Sequence, residues 1–336
     1  MLRSRPLLAA CLFNAIVFAQ NGPTVVGNGS FNSTDKQNSV APGQLLTFRI
    51  ADLTILPDYT DSHAGYRVLS LADQVPLPTE ANGVSISLTQ HLPLSQSDAI
   101  YALPIRSLIQ YDVCESGAAV ISPVPPPPHL RDCFISYVTV QIPYEIQVTH
   151  GAGQKVPSSV TITDNGTMSS NFSVVPDPAI ARIVSDCDLD PARINQVCNP
   201  QVAHSDGTTV TADLPATLGE TVSIFAWGLG KPTPLPMTGQ ASPDPPATLN
   251  PSSYVVSFEF GKNGLQQSEV LRRAIRVTPI SVSMVPNRVG LYQISVNLPY
   301  GFARVPLCNL AKGVVSNLTI SIVSKEISSV GICVAQ

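Results

Sequence analysis

The stretch Leu218-Gly219-Glu220-Thr221-Val222-Ser223-Ile224-Phe225-Ala226 decides the fold, because the chain has already spelled it once as Pro42-Gly43-Gln44-Leu45-Leu46-Thr47-Phe48-Arg49-Ile50. In each copy a turn glycine precedes strict alternation: Leu46, Phe48 and Ile50 in the first, Val222, Ile224 and Ala226 in the second. Side chains of a strand point to opposite faces in turn, so period two marks a half-buried strand. A slip of one residue would move the whole apolar set into water. The shared parity therefore predicts the same buried face in both copies.

Two further matches follow in the same order. Val138-Thr139-Val140-Gln141-Ile142-Pro143-Tyr144 corresponds to Ile294-Ser295-Val296-Asn297-Leu298-Pro299-Tyr300, and Val160-Thr161-Ile162 to Leu318-Thr319-Ile320. Proline has no N–H for a ladder and suits the strand terminus it occupies in both copies. Val84, Ile86 and Leu88 alternate in the first copy, as do Tyr254, Val256, Phe258 and Phe260 in the second, with Ile280, Val282 and Met284 after them. Ser268–Ile275 carries the one helical spacing, too short for more than a turn or two.

Composition agrees. Thirty-one Pro and 21 Gly with 12% charged residues exclude long helices and suit many short strands joined by turns. The fold class expected is all-β, two tandem Ig-like β-sandwich units, at residues 40–175 and 176–336. The boundary falls near Val175-Pro176-Asp177-Pro178, with two separate cores and few contacts across it. Gln20–Ser39, rich in Asn, Ser and Gly, reads as a flexible lead-in, and Lys231–Pro251, with seven prolines, as a long exposed loop.

Met1–Ala19 reads as a signal peptide: Arg3 and Arg5, an apolar run from Pro6 to Phe18, and Val17-Phe18-Ala19 as the cleavage site. A rival reading takes Leu8-Ala9-Ala10-Cys11 as a lipoprotein box, but the apolar run before Cys11 is short for export. The run is too short to span a membrane, and no later segment predicts a transmembrane helix. Without Met1–Ala19 the charge is 17 minus 23, or −6, with Lys and Arg scattered. Nucleic acid and anionic membranes are excluded as partners on that ground.

Six cysteines remain after Cys11, in close pairs: Cys114 with Cys133, Cys187 with Cys198, Cys308 with Cys333. An even number in an exported chain reads as disulfides, and proximity favours local pairing among the 15 connectivities that six cysteines allow. Zinc would require C-x₂₋₄-C spacing or nearby His, and neither is present.

Gly219-x-x-Val222-Ser223-Ile224, closing on Gly228-Leu229-Gly230, resembles the opening strand and turn of Ig-like TIG/IPT domains. The ordered run Asp206-Gly207, Pro215-Ala216, Gly219-Glu220, Gly228-Leu229-Gly230, Gly290-Leu291-Tyr292-Gln293-Ile294 and Pro299-Tyr300-Gly301 resembles the secreted C-terminal domain family of acidobacteria of the Solibacter type. That family's domain ends longer proteins, and cysteine pairs are not among its features. The resemblance implies an exported Ig-like fold and no assigned activity.

Residues able to do chemistry are few. The five histidines, His63, His91, His129, His150 and His204, stand singly, without H-E-x-x-H spacing, G-x-S-x-G elbow or phosphate-binding loop nearby. A dispersed catalytic triad needs no sequence proximity and stays open. Asp186, Asp188 and Asp190 open like a calcium loop, but Pro191 replaces the required Gly and Val197 the bidentate Glu. The competing reading is a solvated turn. No cofactor is expected. Trp227 and Phe225 fall on the outward parity of their strand and are a candidate sugar-stacking platform, or else pack beneath Lys231–Pro251. Pro125, Pro126, Pro127 and Pro128 could present a polyproline helix, or form a stiff loop. Sequons at Asn28, Asn32, Asn165, Asn171 and Asn317 mark glycosylation sites in a eukaryotic secretory route, or an Asn- and Thr-rich surface.

The expectation is thus a non-enzymatic, exported structural or adhesive module, meeting an extracellular protein or polysaccharide at the cell surface or beyond it. Alternatives are a carbohydrate-binding module and, third, a hydrolase with a dispersed site. Gly43 to Pro143 spans 100 residues and Gly219 to Pro299 only 80, so the first copy holds an insertion. Glu115–Asp132, between Cys114 and Cys133, is expected to be that insertion, projecting as a stiffened recognition loop.

Overall fold

The computed structural model describes residues 22–30, 38–54, 66–71, 75–92, 97–112, 134–151, 153–169, 171–189, 198–260, 274–300, 307–308, 315–323 and 327–335. The fold is all-β, and the helices described are single turns, Asp186–Leu189 and Pro251–Ser253.

Two sheets built from residues before 177 face each other. One runs Thr24–Ser30, Leu45–Ala51, Phe134–Gln141, Ile105–Asp112, Tyr66–Leu71. The other runs Ser39–Val40, Phe172–Pro176, Ser158–Asp164, Val84–Leu92, Glu80–Ala81, with Ser97–Ala102 also on Val84–Leu92. Phe48, Ile50 and Val138 from the first sheet meet Ile86, Leu88, Val160 and Ile162 from the second in one buried core. Burying each such side chain contributes roughly 1.5–3 kcal/mol.

The C-terminal sheets repeat this order. Arg182–Ile183, Thr221–Trp227, Tyr292–Asn297, Ser281–Met284 and Thr248–Leu249 make one sheet. Ile275–Val277, Val255–Phe260, Leu318–Val323 and Ile327–Ile332 make the other. The register repeats too: Phe48 stands opposite Val138 as Ile224 does opposite Ile294, and Ile162 opposite Ile86 as Ile320 opposite Phe258. Each pair of sheets also carries a short parallel ladder, Ser39–Val40 with Val175–Pro176 and Ala216–Thr217 with Val334–Ala335. Both predicted apolar faces are buried, with Leu46, Phe48, Ile50, Val222, Ile224 and Ala226 all at 2% exposure or less.

Sheet membership changes between Pro176 and Arg182. Cys187–Cys198 and Cys308–Cys333 are disulfides, closing separations of 11 and 25 residues. Cys114, Cys133, Glu115–Asp132 and Pro125–Pro128 lie outside the described residues, as do Met1–Ala19 and Asp190.

Four expectations are corrected. Thr24–Ser30, placed in a flexible lead-in, is an edge strand on Leu45–Ala51, because its backbone completes a ladder that would otherwise end there. Ile275, read at helical spacing, is in a strand paired with Val255–Phe260. Lys231–Pro251 is not simply an exposed loop: Pro232, Pro236, Gly239, Ser242 and Ala247 are buried. Finally, the two cores are distinct clusters, but the contacts between them are not few. Tyr144, three residues past the strand Phe134–Gln141, is fully buried in the C-terminal core.

Candidate functional site

The chain crosses between the two sets of sheets along Asp177–Ala181, and this crossing is seated on the Gly228-Leu229-Gly230 run. The Ile180 amide donates to the Gly228 carbonyl at 2.8 Å. Gly228 and Gly230 have φ of +73° and +95°. A Cβ at Gly228 would strike the Ile180 carbonyl, and one at Gly230 the Pro178 carbonyl. Glycine is therefore required twice, once for its left-handed backbone and once for close approach. Leu229, between them, turns into the core, and the hydroxyls of Tyr254 and Tyr292 donate to the Leu229 and Gly230 carbonyls, both at 2.6 Å. Burial raises all three neighbouring phenols, Tyr144 and Tyr254 to about 12 and Tyr292 further. On the N-terminal side, buried Asp177 is fastened by an ion pair with Lys155.

Tyr144 is the plug of the junction. Its ring covers Gly43, whose φ of +73° permits the approach, and its hydroxyl faces Met284 Sδ at 3.9 Å. Around it, Lys231–Pro251 supplies the fastenings. The Tyr144 amide donates to Thr238 Oγ1 at 3.0 Å, and that hydroxyl donates to Glu145 at 2.6 Å. Gly239 donates to Gln141 Oε1 at 2.6 Å and accepts from the Leu77 amide at 2.9 Å. Lys231 Nζ donates to the Ile146 carbonyl at 2.9 Å, and burial lowers its pKa while nearby Glu145 opposes the shift.

Trp227 closes the other flank. It is 3% exposed, with Leu45, Val184 and Leu291 packed around it and Phe225 beside them. The guanidinium groups of Arg106 and Arg182 lie 5.4 and 5.9 Å from its ring centroid. Asp188 ties both arginines. Its carboxylate binds Arg182 at 2.6 Å, and its backbone carbonyl accepts from Arg106 at 3.2 Å. Burial lowers both guanidinium pKa values, and Asp188 partly restores them. The carboxylate also accepts from the Ser185 amide at 2.7 Å, while Ser185 Oγ accepts from the Asp188 amide at 3.3 Å. That reciprocal pair is a capping box, and Ser185-x-x-Asp188 signals it in the sequence.

This disposes of the sugar-stacking reading of Trp227: outward parity leads here to a second buried layer. Leu45 and Arg106 from the N-terminal sheets cover it. The calcium reading of Asp186 and Asp188 loses its free oxygens in the same way. Asp186 accepts from the Asn199 amide and side chain at 2.7 and 3.2 Å, and Cys187 and Cys198 beside it are bonded to each other.

Two histidines meet carboxylates. His91 Nδ1 is 2.9 Å from Asp98 on an exposed edge, and His204 Nδ1 is 2.7 Å from Glu220. The other nitrogen of His204 faces the Leu214 carbonyl at 3.3 Å, and Glu220 also accepts from Thr217. His204 therefore clamps a turn, since relay to a nucleophile needs a hydroxyl or thiol at that second nitrogen. An open cleft of about 640 Å³ borders the crossing, lined by Pro178, Lys231, Asn250 and Tyr254 among others, with the Lys231 and Tyr254 heads already bonded to backbone. No helix among the described residues is long and apolar enough to cross a membrane.

No family model and no curated protein matches this chain.

Proposed function

We propose that the chain is an exported pair of Ig-like β-sandwich units, at residues 40–175 and 176–336, working as a structural or adhesive module outside the cytoplasm. The resemblance to acidobacterial secreted domains and TIG/IPT units belongs to this reading, as do the signal peptide and an extracellular protein or polysaccharide as partner. The observation that carries it is Tyr144, fully buried in the C-terminal core. A tandem whose linker is free behaves as two beads on a string. One whose junction is packed like a domain interior holds its ends at a fixed distance, which load-bearing and adhesive proteins need. The two disulfides support an oxidising compartment.

Residues 20–336 would be screened against glycans and extracellular matrix polymers, alongside a panel of hydrolase substrates. Saturable binding without turnover is the expected result. Turnover of any of those hydrolase substrates would instead favour the hydrolase reading.

A further inference from the structure

The contact between the two sets of sheets at Trp227 depends on where Asp188 stands. Arg106 comes from the N-terminal strand Ile105–Asp112 and Arg182 from the C-terminal strand Arg182–Ile183, and both guanidinium groups lie over the indole. The opposite charge acting on both is Asp188, while Arg288 adds a like charge near Arg106. Taking a carboxylate away from a buried cation is costly, and a side chain as long as arginine escapes the cost by turning out to water. Displacing Asp188 therefore uncovers Trp227.

Asp188 stands on a slight support. Asp186–Leu189 is a single helical turn, too short to be held by its own hydrogen bonds. Its cap, Ser185, belongs to the same stretch of chain and moves with it. Two fastenings tie the turn to the chain beyond. The Asp186 amide donates to the Asn199 carbonyl at 2.9 Å, and the Asn199 amide donates back to the Asp186 carboxylate at 2.7 Å. Asn199 is exposed, so water competes for these bonds. The other fastening is covalent: the Cys187–Cys198 disulfide, on the residue directly before Asp188.

The two disulfides differ in access. Cys198 is exposed and Cys187 half-buried, whereas Cys333, in the Cys308–Cys333 bond, is 3% exposed. Thiol–disulfide exchange begins with attack on a sulfur, so exposed disulfides are the labile ones.

We propose that Cys187–Cys198 is a redox latch on the junction, holding Asp188 against Arg106 and Arg182 when oxidised and releasing it when reduced by a dithiol. A thiolate of the dithiol attacks the sulfur of Cys198, the S–S bond breaks, and Cys187 leaves as a thiolate that takes a proton from water. The second thiol then attacks the mixed disulfide and frees Cys198. The protein gains two electrons and two protons, and the dithiol becomes a cyclic disulfide.

The test treats residues 20–336 with dithiothreitol over time, alkylates the freed thiols and maps them, and follows acrylamide quenching of Trp227. Cys187 and Cys198 should become alkylated on the order of tenfold faster than Cys308 and Cys333. Quenching should rise in step with them and return to its starting level when the dithiol is removed and the bond re-forms. A variant carrying Cys187→Ser and Cys198→Ser isolates this bond from the others: it should be folded by circular dichroism and show the raised quenching without reductant. Opening of Cys308–Cys333 first or at the same rate overturns the proposal. So does quenching that ignores the opening of Cys187–Cys198, or that fails to return on reoxidation. A double variant that does not fold would make the bond a plain staple, and one that quenches like the parent would uncouple it from Trp227; either result overturns the latch. No ligand enters the experiment, so its outcome is separate from the adhesive reading.

Discussion

The Arg106 guanidinium lies over the Trp227 ring, 5.4 Å from its centroid, and so joins the two sets of sheets through a charge on an aromatic face. Leu45 packs on the same indole, and Asp188 holds the guanidinium from beyond. Because Trp227 is the single tryptophan, its fluorescence reports this contact without interference. Arg106→Ala is expected to cost about 0.5–2 kcal/mol, the range of a partly desolvated cation–π pair. Acrylamide quenching should rise in the variant, because the lost side chain opens one ring face. Unchanged quenching would mean that the indole is sealed by its apolar neighbours alone.

The duplicated glycines offer a paired comparison. Gly43→Ala forces a Cβ into a left-handed backbone, at about 1–2 kcal/mol, and into the immobile Tyr144 ring, at about 1–3 kcal/mol more. Gly219→Ala meets the same backbone penalty, but exposed Tyr300 can swing into water. Urea midpoints should therefore fall clearly further for Gly43→Ala. Equal losses would argue that the tyrosine contact contributes nothing beyond the backbone.

Removing the plug tests the junction directly. Tyr144→Ala leaves a cavity in the C-terminal core and should cost about 3–5 kcal/mol, as other buried aromatic truncations do. Scanning calorimetry should show one transition for the parent chain and two for the variant, since the halves would no longer melt together. A single cooperative transition in both proteins would place the coupling in the Arg106–Asp188–Trp227 flank instead.

Alkaline pH should loosen the same region. Burial raises Tyr144 and Tyr254 from 10.0 to about 12, so between those values the unfolded chain has lost phenolic protons that the folded chain keeps. Fewer protons bound in the unfolded state means that stability falls as pH rises. Each such phenol removes roughly 1.4 kcal/mol per pH unit over that window, and stability below it is untouched. Denaturation midpoints at rising pH check the slope, and Tyr254→Phe should flatten it.

The alternation of Leu46, Phe48 and Ile50, its echo in Val222, Ile224 and Ala226, and the pairing of Cys187 with Cys198 and Cys308 with Cys333 were legible in the sequence alone. Strand periodicity and short loop closures are local properties, carried by neighbouring residues and readable from their order. The capping box at Ser185 and Asp188 was equally local and was obscured by its likeness to a calcium loop. Only the tertiary structure decided that Trp227 is buried and that Tyr144 and Tyr300, spelled alike after a proline, differ in exposure. Parity assigns a side chain to a face but not to what covers that face. The cover over Trp227 comes from Leu45 and Arg106, and the cover over Tyr144 from Met284 and Tyr292, all far away along the chain. Contacts between residues so distant in sequence leave no periodic trace, because each partner's pattern is already satisfied by its own strand.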